Sequence, residues 1–314
     1  MIRATSTRDN GTSPARSAPT QNPAYGTSPL KRKRHRRTKA EIEFLRESIY
    51  KVLADDHPMT VRQVFYQLVV HDTVPKAENG YDAVQRQLLV LRRADVVPYS
   101  WVADNTRWQR KPRTYTDAEE VLDNAAKTYR RAIWKNQDVY VEVWCEKDAL
   151  AGVIYQETDP YDVPLMVSRG FSSESYLYET AEAIKDADKP AFIYYFGDRD
   201  PSGVKIDPAI LRGLERLAAE ADITFRRVAV TPEQIETLSL PTRPTKTEGN
   251  SHAKGFVGES VELDAVPART LRQMVRECIE QHIDPWALEV TRTAERSERE
   301  IFARLYEAVR RGAL

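Results

Sequence analysis

Three carboxylates follow two apolar runs, at the points where the runs end. Asp198 and Asp200 stand one residue apart, just after the run Ala191–Phe196. Glu146 follows a second run, Val139–Trp144, about 50 residues earlier. If both runs are neighbouring strands of a parallel sheet, their carboxyl ends meet at one edge and the three acids converge. Like charges that close repel one another unless protons or a cation neutralise them.

Oxygen ligands without histidine or cysteine favour a hard ion, so this trio predicts a Mg²⁺ site formed by Glu146, Asp198 and Asp200. An Asp-x-Asp pair by itself is a weak signal, because such pairs also end strands in ordinary turns. The acid after the earlier strand makes the pattern more specific.

Several residues beside the acids are candidates for supporting roles. Gly197 and Gly203 would let the backbone approach closely and turn tightly. Lys147, next to the first acid, is expected to steady a phosphate. Glu262 and Asp264, in the segment VELDAV, follow a strand-like pattern and are auxiliary candidates.

The segment TVRQVFYQLVVHD contains a candidate nucleophile. Thr60-x-x-Gln63 is a capping box that predicts the start of a helix. The apolar residues at helical spacing, which predict one buried face, are Val61, Val64, Phe65 and Leu68. Arg62 and Tyr66 lie four residues apart on a different face. We therefore expect the Tyr66 phenol at the protein surface, where Arg62 would stabilise a phenolate and the phosphate that it attacks. A tyrosine with its free pKa of about 10 needs such help; the alternative is that Tyr66 merely packs at the helix edge.

The N-terminal part of the chain, residues 38–116, has the element order of a winged-helix DNA-binding domain. Helical patterns that start at residues 38, 60 and 81 precede VVPYSWVAD, which is typical of short extended segments. Residues 86–113 carry seven Lys and Arg side chains against two Asp, and arginines of this kind grip phosphates. The predicted DNA contacts are Arg86, Arg92, Arg93, Arg107, Arg110, Lys111 and Arg113. The alternative is a solvated helix face beside ordinary core tryptophans.

Strand and helix patterns alternate from residue 138 to 283, which indicates a Rossmann-like parallel α/β sheet with helices on both faces. The predicted strands cover residues 139–144, 163–167, 191–196 and 223–230. A linker helix over 117–137 joins this domain to the first, and a helix over 284–314 ends the chain. Asp207 followed by Pro208 is typical of a helix cap and a first helical position.

Residues 1–37 are rich in Ser, Thr, Pro, Asn and Gly and end in KRKRHRR. We expect a disordered basic tail that either attracts phosphate or only aids solubility. The net charge is zero, but residues 1–40 carry +9 and residues 136–314 carry −10. No apolar stretch approaches the roughly 20 residues of a membrane span. The start lacks a signal-peptide pattern, and the two cysteines have no CxxC spacing. These features favour a cytoplasmic protein, associated with the nucleoid if the source is prokaryotic.

Two of these motifs resemble the signature motifs of a Toprim domain, the Mg²⁺-binding fold of topoisomerases, primases and some nucleases. They are Glu146 in VWCEKDAL and the pair Asp198 and Asp200 in YFGDRDPSG. Upstream, TVRQVFY with its Arg62 and Tyr66 is similar to the T-x-R-x-x-x-Y motif of the DNA-cleaving subunit of DNA topoisomerase VI and its relative, the meiotic double-strand-break enzyme. The segment RGFSSESYLYETAEAI also lies where that family has a Gly-aromatic turn and a helix.

This resemblance covers about residues 40–280 and implies Mg²⁺-dependent DNA breakage, with Tyr66 and Arg62 as catalytic residues. It also implies a homodimer on double-stranded DNA, in which the tyrosine of one protomer meets the metal site of the other. The chain departs from the family at Phe65, where a tyrosine is frequent, and at Arg199, between the aspartates. It is similar to reduced, stand-alone forms of the DNA-cleaving subunit that lack the ATPase partner, and it has no GxxxxGK[ST] loop for ATP.

Three functions stay open from the sequence. In the first, Tyr66 attacks a backbone phosphate and becomes joined to a DNA end, as in a topoisomerase-type transesterase. In the second, the same acids activate water, and the chain is a hydrolytic nuclease of a defence system or mobile element. In the third, the chain is a DNA-binding protein with a degenerate enzyme fold, an interpretation against which the intact acids argue.

Overall fold

A computed structural model describes residues 37–103, 111–245 and 256–312 of the chain. Nearly all of the predicted basic tail, up to residue 36, lies outside these residues. The helices and strands fall within Lys39–Leu314, which form one compact unit. None of the helices in the described ranges is long and apolar enough to cross a membrane.

Three helices come first, as the sequence predicts. They are α1 (Lys39–Asp55), α2 (Val61–Val70) and α3 (Glu78–Arg93). The predicted capping box starts α2: the Thr60 hydroxyl accepts a hydrogen bond from the Gln63 amide, and the Gln63 side chain accepts one from the Thr60 amide. The apolar core of these helices includes Ile49, Leu53, Val64, Leu68 and Val84.

The segment after α3 is less extended than predicted. Tyr99–Trp101 forms a 3-10 turn, in which the last amide donates a hydrogen bond to the Pro98 carbonyl. Within residues 94–103, β-type backbone pairing is limited to a single bridge, between Met59 and Val102. The short strands of a winged helix are therefore not formed in this segment, and the winged-helix assignment stays a prediction.

The linker helix is shorter than predicted. α4 spans Ala118–Thr128, and the chain leaves the helix at Tyr129. The Tyr129 carbonyl accepts a hydrogen bond from Arg299, and its hydroxyl donates one to Glu298, each at 2.7 Å. Both partners belong to the C-terminal helix, α10 (Pro285–Arg310). Because these contacts take the Tyr129 carbonyl out of the helical ladder, the rest of the predicted helix becomes a loop and a 3-10 turn.

Four parallel strands form the sheet, in the order β2-β1-β3-β4. They are β1 (Tyr140–Cys145), β2 (Leu165–Val167), β3 (Ala191–Phe196) and β4 (Ile223–Ala229). β1 and β3 are neighbours, with Cys145 opposite Phe196 at their carboxyl ends. The predicted parallel α/β sheet is confirmed, and the residues after these two strands lie at the same edge.

Helices cover both faces of the sheet. The remaining ones are α5 (Ala151–Thr158), α6 (Glu174–Ala187), α7 (Gly203–Leu217), α8 (Pro232–Thr237) and α9 (Ala268–Glu280). The face with Trp144 and Tyr195 packs on α6 and α7. The face with Val143 and Phe196 shares one core with α5, α9 and the first three helices. This shared core holds α2 beside the sheet.

The pair Asp207-Pro208 does not start α7, which begins earlier, at Gly203. The reason is Asp200, whose Oδ1 accepts hydrogen bonds from the Ser202 and Gly203 amides at 3.0 and 2.7 Å. These bonds satisfy amides at the helix start. Pro208 therefore lies inside the helix, and the cap predicted at Asp207 is wrong.

Arg227 of β4 holds the loop between β3 and α7. Its guanidinium pairs with both carboxylate oxygens of Asp207, at 2.9 and 3.0 Å. It also donates hydrogen bonds to the carbonyl oxygens of Gly197 (3.2 Å), Asp198 (3.2 Å) and Gly203 (2.7 Å). The two side chains of the ion pair are mostly buried, with 16% and 17% exposed. One arginine thus fixes the path of the backbone that carries the aspartates.

Replacing Arg227 with methionine should make the protein unfold more easily, because Asp207 and three loop carbonyls would lose their donor while staying buried. We expect the free energy of unfolding to fall by about 3–5 kcal/mol, measured by denaturant titration and circular dichroism. Arg226→Met is the matched control, since Arg226 is exposed on the same strand; its loss should change stability by less than about 0.5 kcal/mol. Equal stabilities of the two variants would contradict the role of Arg227.

Candidate functional site

The ends of β1 and β3 bring Glu146 against the backbone of Asp198. The Glu146 amide donates a hydrogen bond to the Phe196 carbonyl at 2.9 Å. Glu146 Oε2 accepts hydrogen bonds from the Asp198 amide at 2.9 Å and from the Tyr195 hydroxyl at 3.3 Å. Asp200 follows two residues later, where it caps α7. The three acids therefore lie at one edge of the sheet.

Two glycines make this approach possible. A Cβ atom on Gly197 would lie 2.7 Å from Glu146 Oε2 and 2.5 Å from the Tyr195 ring. A Cβ atom on Gly203 would lie 2.1 Å from the Asp198 carbonyl oxygen. Contacts that short are repulsive, so a side chain at either position would displace the acids.

The protein only partly neutralises the charge of these acids. Burial, together with the charges of Asp198 and Asp200, raises the pKa of Glu146 to about 7. Burial also raises the pKa of Asp198, although Lys147 opposes that shift. The hydrogen bonds to Glu146 and Asp198 within the described residues reach one oxygen of each carboxylate, Oε2 and Oδ1. The other oxygen of each accepts no hydrogen bond from the described residues.

The chemistry of Glu146, Asp198 and Asp200 fits a magnesium ion, because all three are hard oxygen donors and two have a raised pKa. In the described parts of the chain, no three His, Cys, Asp or Glu side chains are arranged so as to enclose a metal ion. The Mg²⁺ site stays a prediction.

The Lys147 ammonium lies among three carboxylates, and its predicted phosphate contact stays a prediction. Its Nζ is 2.6 Å from Asp264, 3.1 Å from Asp198 and 3.3 Å from Glu262. Burial would lower the pKa of Lys147, but these carboxylates raise it. Asp264 also accepts a hydrogen bond at 3.3 Å from the hydroxyl of Thr60, which caps α2. Lys147 is therefore an internal counter-ion of the acids.

Glu262 joins α2 to the sheet edge. Its Oε2 accepts a hydrogen bond from Arg62 at 2.6 Å, and its Oε1 accepts one from Arg243 at 2.8 Å. Burial would raise the pKa of Glu262, but Lys147, Arg62 and Arg243 lower it to about 2. This predicted auxiliary acid is thus a charged bridge between the helix with the candidate nucleophile and the strand ends.

Tyr66 is buried, whereas the sequence predicts its phenol at the surface. Only 5% of the residue is exposed. The Lys76 ammonium lies 5.5 Å from the centre of the Tyr66 ring and donates a hydrogen bond to the Thr242 carbonyl. Arg62 pairs with Glu262 and not with the phenol. Burial and the Glu262 charge raise the pKa of Tyr66 to about 12, so the phenol is protonated in this conformation.

The basic residues predicted to contact DNA differ in their surroundings. The exposed ones are Arg86, Arg93, Lys111 and Arg113. Arg92 is half-buried, with its guanidinium 4.4 Å from the centre of the Tyr99 ring. Arg107 and Arg110 lie outside the described residues. The DNA contacts of all seven stay predictions.

Three residues of the site were not predicted from the sequence: Arg227, Arg243 and Lys76. Arg243 Nη2 also lies 3.7 Å from Asp200 Oδ2, so this arginine is close to two of the acids. A signal existed for Arg227, since it lies on the same face of β4 as Ile223 and Phe225, where a charge needs a partner. Arg243 and Lys76 lie in polar segments whose partners are distant in sequence, and no local pattern identifies them.

No family model matches the chain, and no curated protein shows significant similarity to it. The function of the site therefore has to be argued from its geometry.

Glu146 should make the protein less stable as the pH rises. Its folded pKa of about 7 exceeds the 4.5 of an unperturbed glutamate, so the folded state loses stability between these two pH values. Glu146→Gln removes this loss and should be more stable than wild type at about pH 8, by about 1–3 kcal/mol, with a smaller difference near pH 5.

Denaturant titration in EDTA measures this difference without metal. Glu236→Gln, at an exposed position of α8, is the control and should show no such pH dependence. A Glu146→Gln variant that is less stable than wild type at about pH 8 would contradict the raised pKa.

Proposed function

We propose that the protein cuts DNA by magnesium-dependent transesterification, with Tyr66 as the nucleophile. The observation that carries the proposal is the approach of Glu146 and Asp198 at adjoining strand ends, with α2 tied to the same place through Arg62 and Glu262. The acids supply ligands for metal chemistry on a phosphate, and α2 carries a phenol and a guanidinium.

In this reaction the Tyr66 hydroxyl gives up its proton, and its oxygen bonds to a phosphorus atom of the DNA backbone. The bond from that phosphorus to one deoxyribose oxygen breaks, and the leaving oxygen takes up a proton. One DNA end thus stays joined to Tyr66. Mg²⁺ bound to Glu146, Asp198 and Asp200 would neutralise charge on the phosphate and on the leaving oxygen.

Tyr66 has to be uncovered before it can react. With a pKa of about 12, only about one phenol in 10⁵ is ionised at neutral pH. A rearrangement that exposes the phenol to solvent would remove the effect of burial on its pKa. A bound phosphate would compete with Glu262 for Arg62, which lies on the same face of α2 as Tyr66.

The resemblance to the DNA-cleaving subunit of topoisomerase VI extends the proposal to a homodimer on double-stranded DNA. Tyr66 of one protomer would then meet the acids of the other, and the buried phenol would be the state before DNA binds. The cleavage step itself needs no ATPase partner.

The burial of Tyr66 favours a second candidate, a magnesium-dependent hydrolytic nuclease. In that reaction a water oxygen bonds to the phosphorus, the bond to the deoxyribose oxygen breaks, and the cut end carries a free phosphate. The high pKa of Tyr66 and its cover by Lys76 suit a structural role and need no motion. The chemical state of the cut end distinguishes the two candidates.

Tyr66→Phe should abolish the covalent protein–DNA product, because the oxygen that bonds to phosphorus is gone. A reaction with supercoiled plasmid and Mg²⁺ is stopped with detergent, and DNA-linked protein is separated on a gel. Tyr50→Phe is the matched control, since Tyr50 is exposed on α1, and it should form the product at the wild-type level. Cutting by Tyr66→Phe with free phosphate ends would establish the nuclease instead.

Asp198→Asn should slow cutting by about 100-fold or more, because a neutral amide binds a hard cation more weakly than a carboxylate does. The measurement is the rate of plasmid cutting over a series of Mg²⁺ concentrations. Asp222→Asn serves as the control, since Asp222 is exposed just before β4, at the opposite end of the sheet. A wild-type rate for Asp198→Asn would remove this residue from the metal site under either candidate.

A further inference from the structure

A cavity of about 660 Å³ lies between α3 and the acid edge of the sheet. Tyr81, Gln85 and Arg92 of α3 line it, and so do Glu146 after β1 and Arg169 after β2. The three α3 residues are at helical spacing and share one face of the helix. This face of α3 therefore opens into a cleft that leads to the acids.

The lining offers groups that are available to a ligand. Arg169 pairs only with Asp148, at 2.8 Å, within the described residues, and 62% of its side chain is exposed, so this surface pair is weak. Gln85 is exposed. The cavity thus presents an arginine suited to phosphate and an amide suited to the edge of a base.

The turn that carries Arg169 has an uncommon backbone conformation. Arg169 has a left-handed backbone conformation (φ 50°), followed by Gly170 at φ 98°. Such a conformation is uncommon for an arginine and costs energy. The hydroxyl of the preceding Ser168 is buried without a partner among the described residues. This turn places Arg169 in the cavity wall, across from α3.

We propose that the cavity binds an unpaired nucleotide of single-stranded DNA, with the phosphate at Arg169 and the base at Tyr81 and Gln85. Its volume is within the range of small-molecule sites, about 300–1,000 Å³, which suits a nucleotide. A single strand also exposes the face and the edge of each base for stacking and hydrogen bonding.

This inference rests on the proposed function, because nucleic acid is the substrate there. It narrows the substrate class to DNA with an unpaired stretch beside the acids. The phosphate at Arg169 would lie on the same side of the cavity as Glu146.

The test measures binding without cleavage, using the full chain in EDTA and a fluorescent oligothymidylate, with a duplex of equal length in parallel. Arg169→Gln should weaken single-strand binding roughly fivefold to tenfold and lower the salt slope of the binding constant by about 0.7, the share of one phosphate contact. Gln85→Ala should weaken binding about threefold to tenfold with an unchanged slope, because Gln85 contacts a base. Duplex affinity should change by less than about twofold in both variants.

Arg212→Gln is the matched control, since Arg212 lies on α7 and does not line the cavity; it should bind both DNAs like wild type. Wild-type single-strand affinity in both cavity variants would overturn the inference, and so would an equal loss of single-strand and duplex binding. No bond is cut in EDTA, so these outcomes do not depend on whether Tyr66 or water attacks. Intact binding without any cutting in Mg²⁺ would overturn the proposed function alone.

Discussion

Carboxylates that follow two adjoining strands meet at one edge of the sheet. The surrounding donors offset the mutual repulsion of these carboxylates. Each acid accepts a hydrogen bond from at least one backbone amide. Glu146 accepts one from the Asp198 amide, and Asp200 accepts the first amides of α7. Asp198 accepts one from the Leu263 amide and also pairs with the Lys147 ammonium. Arg227 binds three carbonyl oxygens of the same loop and keeps the backbone in place. These donors hold the acids together but leave the pKa of Glu146 at about 7, a state that a hard cation would relieve.

The same charges connect the sheet to α2. Glu262 accepts hydrogen bonds from Arg62 and Arg243, and Lys147 lies between Glu262 and Asp198. The helix with the candidate nucleophile is therefore fixed relative to the acids through ion pairs, which a phosphate can compete for. The phenol of Tyr66 is buried, so access to it, and not the presence of the acids, distinguishes transesterification from hydrolysis.

Local sequence patterns were sufficient to predict much of this site. The continuous apolar run of β3 predicted that strand to the residue. Parallel pairing of β1 with β3 predicted that the acids after both strands would lie at the same edge. Contacts between distant segments decided the rest. Arg62 pairs with the Glu262 carboxylate, 200 residues away, and Lys147 pairs with the same carboxylate, 115 residues away. No window of sequence contains both partners, so neither the pairing of Lys147 with these carboxylates nor the burial of Tyr66 could be predicted. The helix start predicted at Asp207 was wrong for a local reason, because Asp200 accepts the first amides of α7.

The central claim is that Tyr66 and the strand-end acids act on the same phosphate. Its most direct test identifies the amino acid that is attached to cut DNA. After reaction in Mg²⁺, nuclease digestion leaves a short nucleotide on the protein, and mass spectrometry of tryptic peptides locates it. We predict a nucleotide on Tyr66, within the peptide 63–76 of the wild-type protein, and none in Asp198→Asn. Cut DNA with no nucleotide on any peptide, or with a nucleotide on another residue, would contradict the claim.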